Sequence, residues 1–250
     1  MLAHLLKCLT WGALRVAVVF GLVVASTQSA RAQTVTVLYS FEDSGGDGGF
    51  PDSGVVLDAQ GNVYGETLAG GKRGCYEEGC GTLFSVTPGG VETILYTFPS
   101  NAKSYPTGGL IWDAEGNLYG TARGALHGRR VDGGVFELKP GGNLEWIFVF
   151  NNQGFGENPA GGVTMDPQGN LYGTTIDGGM SDVGAVFELK QNGLRIKRLE
   201  DTLYSFTGGN DGDSPGSRLI LDGQGNLYGT TPLAAAPAVM NATDVERSLN

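Results

Sequence analysis

The hexapeptide GNLYGT stands at 116–121 and recurs letter for letter at 169–174 and 225–230, with GNVYGE at 61–66. A residue set that performs chemistry is needed once, whereas a structural unit is needed many times, so the repetition points first to architecture. Asp opens each D-x-x-G-N-[LV]-Y-G, at Asp58, Asp113, Asp166 and Asp222, giving spacings of 55, 53 and 56 residues. Two further series keep step. One is aromatic: LYSF from Leu38, LYTF from Leu95, IFVF from Ile147 and LYSF from Leu203. The other is GTLFSV from Gly81, GGVFEL from Gly133 and GAVFEL from Gly184. A proline follows each aromatic element and precedes the Asp: Pro51, Pro106, Pro159 and Pro215.

In the second copy the strand candidates are 109–113, 117–122, 134–139 and 144–150. They are short, rich in β-branched and aromatic residues, and bounded by Gly, Asn and Asp. No stretch of the repeat region carries a 3.6-residue period. Four strands per unit, in tandem, predict an all-β fold of four-stranded antiparallel blades, β-propeller-like. Three copies hold four strands and the fourth holds two, so the expected form is an incomplete propeller: three full blades plus a partial fourth. The repeat domain spans 33–231, and 232–250 is a non-repeat tail, read as helical or disordered. The strand expected over 34–41 has no blade of its own and is a candidate outer strand for the last blade. Bare strand edges in an open ring favour self-association.

Within the motif, D-x-x-G-N reads as a tight hairpin. Gly61, Gly116, Gly169 and Gly225 are expected in the left-handed conformation that ends the turn. The Asp side chains accept backbone N–H groups inside it. The next glycine, such as Gly120, would clear space for another backbone or a neighbouring sheet. Four ligand sites using the Asp and Asn are the functional alternative.

Lys7 and Arg15 precede the apolar run VAVVFGLVVA at 16–25, and Ala30-Arg31-Ala32 supplies a small-x-small cleavage site. This is the pattern of a signal peptide over 1–32; an uncleaved anchor is the other reading. Cys8 lies ahead of the run and would leave with it. Removal of these residues takes three of the 16 Lys and Arg and none of the 26 acids, leaving a net charge of −13. Such acidity disfavours nucleic acid and anionic membrane surfaces as partners. His127 would remain as the single histidine, too little for a multi-His zinc site. Cys75 and Cys80, in CYEEGC, read as a disulfide-closed loop in an exported chain; free thiols or a metal pair are the alternatives. The 43 glycines in 250 residues fall periodically between apolar runs, so they read as turns rather than as a flexible linker.

LYSFTGGNDGDSP, LILDGQGNLYGTT and GAVFEL closely resemble the tandem repeats of exported bacterial proteins termed GloVer-containing. The resemblance runs from about Val37 to Thr231 and implies an exported or surface-displayed, propeller-like repeat protein. It carries over no catalytic residue. Members often have more copies and a C-terminal sorting segment, and the present sequence shows neither. Its fourth copy stops at Thr231 without a GxVFEL strand, and PLAAAPAVMNATDVERSLN matches nothing earlier. A truncated or frameshifted gene would give such an ending.

In a meander, the hairpin and the connection between third and fourth strands share one face. The longer, variable connections share the other, and binding residues concentrate on such loops. Candidate contacts there are Tyr76, Glu77, Glu78, Tyr105, His127, Arg129, Arg130 and Phe155, with ordinary solvated loops as the plain alternative. Asp43, Asp47, Asp211 and Asp213 make two acidic loops that suit calcium by ligand type but not by spacing. RIKRLE at 195–200 fits alternating charge on a solvent-facing strand.

The sequence thus favours a non-enzymatic binding or surface-interaction module without a cofactor, for an extracellular or cell-surface ligand, or a remnant of a longer protein. The alternative is a propeller enzyme, a lactone hydrolase or lyase with a calcium-bound carboxylate cluster in the channel. That enzyme needs polar residues unique to the interior, whereas the inward strand positions recur as Leu, Tyr and Gly.

Overall fold

The computed structural model describes residues 35–42, 46–71, 79–99, 104–124, 133–150, 156–192, 195–232 and 239–240. Every regular element among them is a strand. The chain separates into a first unit, 1–37, and a second, 38–250, which holds all the strands.

In the first copy β1 (Gly48–Gly49), β2 (Val56–Leu57), β3 (Val63–Thr67), β4 (Ala69–Gly70), β5 (Thr82–Val86) and β6 (Glu92–Thr97) give a sheet of order β2-β3-β5-β6, plus the small ribbon β1-β4. The second copy holds β7 (Ser104–Pro106), β8 (Ile111–Trp112), β9 (Leu118–Gly124), β10 (Gly134–Leu138) and β11 (Leu144–Val149). Here β9, β10 and β11 run consecutively, while β7 and β8 both pair with β9. The third is a meander of β12 (Glu157–Met165), β13 (Leu171–Asp177), β14 (Ala185–Asn192) and β15 (Arg195–Ser205). The fourth holds β16 (Ile220–Leu221), β17 (Leu227–Tyr228) and β18 (Val239–Met240). All these ladders are antiparallel.

The fourth sheet departs from expectation in one respect. Within the tail read as helical or disordered, Val239 and Met240 pair with Tyr228 and Leu227. The physical cause is the edge of β17, which in earlier copies faces a GxVFEL strand and here offers its open N–H and C=O groups to the nearest extended segment. The LYSF stretch at the other end forms no ladder strand, contrary to expectation. Phe41 instead lays its ring against Phe84 of the first sheet, centroids 4.9 Å apart.

Each motif Asp anchors its hairpin with both carboxylate oxygens. In the second copy Asp113 Oδ1 accepts the backbone N–H groups of Glu115 (3.0 Å) and Asn117 (2.7 Å). Asp113 Oδ2 accepts the Asn117 amide (2.6 Å) and the Tyr119 hydroxyl (3.0 Å). Asp58, Asp166 and Asp222 repeat this pattern with Asn62 and Tyr64, Asn170 and Tyr172, Asn226 and Tyr228. Gly61, Gly116, Gly169 and Gly225 have φ between 82° and 89°, the left-handed region in which a Cβ is costly. The donors from Asn226, side chain and backbone, hold the half-buried Asp222 carboxyl down to about 2. In copies two and three the tyrosine also faces a glutamate: Tyr119 Oη lies 3.0 Å from Glu137 Oε1 and Tyr172 Oη 3.0 Å from Glu188 Oε1. Desolvation first, and then the neighbouring Glu137 and Glu188 charges, push both phenols well above their ordinary value.

Alternation along the strands lets each sheet pack on both faces. Leu118 and Phe136 join the core shared with the first sheet, beside Leu83, Phe98 and Cys80. Their neighbours Tyr119 and Val135 join the core shared with the third sheet, beside Phe150, Val163 and Phe187. Val186, Phe206, Leu219 and Leu227 form the third interface. An aromatic relay crosses these interfaces: Phe98 meets Phe136 at 5.6 Å, and Phe150 meets Phe187 at 5.2 Å, with rings tilted towards edge-to-face.

The motif's second glycine makes room for that relay. Gly65, Gly120 and Gly173 pair directly with Phe84, Phe136 and Phe187 on the adjacent strand. A Cβ on Gly120 would stand 2.5 Å from Cζ of Phe136 and 3.0 Å from Leu110 Cδ2. The group that needs the space is therefore chiefly a ring of the same sheet. A second joint links successive copies. The glycine before each third strand, Gly81, Gly133 or Gly184, has φ of 89°, 91° or 102°. It lies under the ring of the next copy's proline, Pro106, Pro159 or Pro215, with a built Cβ 2.6–2.9 Å from proline Cδ.

Gly120→Ala would displace the Phe136 ring from the core it shares with the first sheet. A loss of roughly 1–3 kcal/mol is expected by urea unfolding; a wild-type midpoint would overturn this account of the glycine.

Candidate functional site

Two positions break the repetition, and the fold brings them together. Where other copies have Thr121, Thr174 and Thr230, the first has Glu66; where others have Gly54, Gly109 and Gly162, the fourth has Arg218. Glu66 is 2% exposed at the inner end of β3. Its Oε1 accepts the backbone N–H of Gly109 at 2.6 Å, and its Oε2 is buried without a hydrogen bond. Arg218 enters from the fourth copy and donates through Nη2 to the carbonyls of Gly108 (2.9 Å) and Leu110 (3.3 Å). First and fourth copies thus meet over the Gly108–Gly109–Leu110 backbone of the second.

The backbone there is tight, which explains the glycines. A Cβ on Gly109 would lie 2.9 Å from Arg218 Nη2, and one on Gly162 would strike the Gly108 carbonyl. Thr107 Oγ1, Thr121 Oγ1 and Ser53 Oγ are also buried without hydrogen bonds. Desolvation pushes the Glu66 carboxyl up to about 7, against the opposing pull of the Gly109 N–H and the Arg218 charge. An acid near neutrality can exchange a proton at physiological pH. The interior therefore does contain polar residues unique to one copy, which corrects the expectation of uniform Leu, Tyr and Gly. The readable signal was the departure from consensus, E for T and R for G.

Tyr76, Glu77, Glu78, His127, Arg129, Arg130 and Phe155 lie outside the described residues, as do Asp43 and Cys75. Tyr105, read as a loop contact, instead sits half-buried in β7, paired with Arg123 and packed against the first interface core. Cys80 is fully buried in that core. The loop acids act as staples: Asp211 Oδ2 accepts Tyr204 Oη (2.9 Å) and Thr207 N–H (2.9 Å), and its Oδ1 accepts Thr207 Oγ1 (2.6 Å). Asp47 repeats the device with Tyr39 Oη (3.1 Å) and the N–H groups of Glu42 and Gly48. Asp213 Oδ1 is buried without a hydrogen bond. Among the described residues no three His, Cys, Asp or Glu side chains converge on a metal position.

On the hairpin face, a groove of about 550 Å³ opens between the second and third sheets. Trp112, Asp113, Glu115, Met165, Gln168 and Gln191 are among its walls.

Residues 125–238 match the family model described as the Gloeobacter/Verrucomicrobia repeat. The match supports a GloVer-type repeat protein, in keeping with the resemblance read from the sequence. Comparison with curated proteins found no match. Among solved structures, a protein provisionally described as a gluconolactonase aligns with TM-score 0.49 at 17% identity over 71% of this chain and 56% of that one. A gluconolactonase from Xanthomonas campestris gives 0.46 at 16%, over 71% and 55%. The extracellular domain of a proposed one-component system from B. thetaiotaomicron gives 0.46 at 12%, over 73% and 20%. The chain therefore spans little more than half the length of these neighbours or less.

Because its folded-state value lies above the ordinary 4.5, Glu66 stabilises the fold fully below about pH 4.5 and progressively less up to about pH 7. Glu66→Gln should flatten that slope and leave the protein more stable at neutral pH, read by urea titrations across the window. An unchanged slope would remove the assignment.

Proposed function

We propose that the protein is an exported, non-enzymatic repeat scaffold whose variable long loops form a binding or surface-interaction face. The observation that carries this reading is the use of the repeated polar letters. In every copy the Asp, Asn and Tyr of the motif are taken up by hydrogen bonds to one another. What recurs is therefore engaged in holding hairpins, and difference between copies is left to the loops that leave the opposite end of each sheet. No helix among the described residues is long and apolar enough to cross a membrane. Export rests on the leader pattern at 1–32. Incomplete closure of the propeller, with association through open strand edges, belongs to the same reading.

A lactonase-type propeller enzyme is the second reading. The Glu66–Arg218 centre favours it, because a buried carboxyl near neutrality is the kind of group that moves protons in catalysis. The two readings separate on glucono-δ-lactone, with and without calcium. The scaffold reading expects no acceleration over buffer; turnover abolished by Glu66→Gln would replace it with the enzyme. In a parallel sedimentation assay with intact bacterial cells, changing Arg129 and Arg130 together to Glu should reduce association several-fold. Association equal to wild type would exclude that loop.

Cys75 and Cys80 are proposed to close the loop between β4 and β5 as a disulfide, supported by the complete burial of Cys80 and by export into an oxidising compartment. Peptide mapping without reductant should find the two linked; both alkylated as free thiols would remove the bridge.

A further inference from the structure

The groove on the hairpin face lies at the end of the sheets away from the long loops, and the repeat pattern explains why it exists. The residue before each motif Asp is Leu57, Trp112, Met165 or Leu221. At the junction of first and second sheets, Trp112 fills this position and its ring meets Tyr64 edge-to-face, centroids 4.8 Å apart. At the junction of second and third sheets the same position holds Met165, packed beside Tyr119. A thioether chain in place of an indole leaves space unfilled, and the groove of about 550 Å³ is lined there by both Met165 and Tyr119. That volume lies within the usual range for small-molecule sites.

We propose that this groove binds a neutral saccharide unit. Its apolar wall is Trp112, Met165 and Pro167, with the buried Tyr119 behind them, surfaces on which the C–H faces of a sugar ring can lie. Its accessible hydrogen-bonding groups are the Glu115 carboxylate and the Gln168 and Gln191 side chains, which accept from hydroxyls and, for the amides, also donate. Among the described residues no Lys, Arg or His lines the groove, so none of them offers an anionic ligand a countercharge. Asp113 and Asp166 carry charge into the wall, but each already accepts two backbone N–H groups, an amide and a phenol from its own hairpin. Their oxygens are thus engaged before any cation arrives. Few polar groups around an apolar floor match a hydroxylated, uncharged ring better than a compact ion.

Calorimetric titration of the full-length mature protein with maltotriose, cellotriose and laminaritriose tests this, with spermidine as the cationic comparison. Saturable binding of at least one trisaccharide is expected. Met165→Trp, which copies the filled junction of the preceding pair, should weaken it about tenfold or more while leaving the melting transition in place. Glu115→Ala together with Gln168→Ala, on exposed turn positions, provides a second variant that cannot act by filling space and should weaken it similarly. Heat from none of the three sugars, a response to spermidine alone, or affinity unchanged in both variants would overturn the proposal.

Discussion

A single missing side chain governs how the sheets stack. At Gly65, Gly120 and Gly173 the ring of the facing phenylalanine lies across the strand where a Cβ would have been. From there the Phe84, Phe136 and Phe187 rings reach the phenylalanine that ends the preceding aromatic element, Phe41, Phe98 or Phe150. The second and third sheets are each thereby held by the one before. Neither face of the second sheet is free, since Phe136 and Val135 point into different cores. Stability in such an array arises from nearest-neighbour interfaces as much as from the units themselves.

The period, the strand content and the glycine turns were legible because they are properties of local sequence. Gly116 has to take positive φ, and Asp113 has to cap its own turn, whatever lies around them. The closure of the Asp cage by Tyr119 was not legible, because the phenol returns six residues along the adjoining strand and only the strand's twist brings it back to Oδ2. The partner of Gly120 is hidden for a related reason: cross-strand register, not spacing along the chain, puts Phe136 opposite it. Likewise Tyr105 reads as a loop residue because it lies in the long connection between one copy and the next. The strand it joins is recognisable only from its pairing with Ala122 to Gly124.

The interior polar centre has a different origin. Three threonines and one glutamate occupy one position of the repeat, and three glycines and one arginine occupy another. Near-identical units can dock in more than one order, and a buried pair of unlike groups penalises the wrong ones. Glu66 and Arg218 come from the first and fourth copies and converge on the second, so they set these copies apart from the others. The cost is a carboxyl held in an environment that disfavours its charge.

The proline-on-glycine joint bears on how such a chain could have grown. Its two halves sit in different copies, glycine ahead of the third strand in one and proline ahead of the motif in the next. Unequal recombination between any two copies, at whatever point the crossover falls, would regenerate a glycine followed by its proline across the new boundary. A gene of this kind can lengthen or shorten by whole cassettes without a newly invented interface, while the loops between glycine and proline diverge freely.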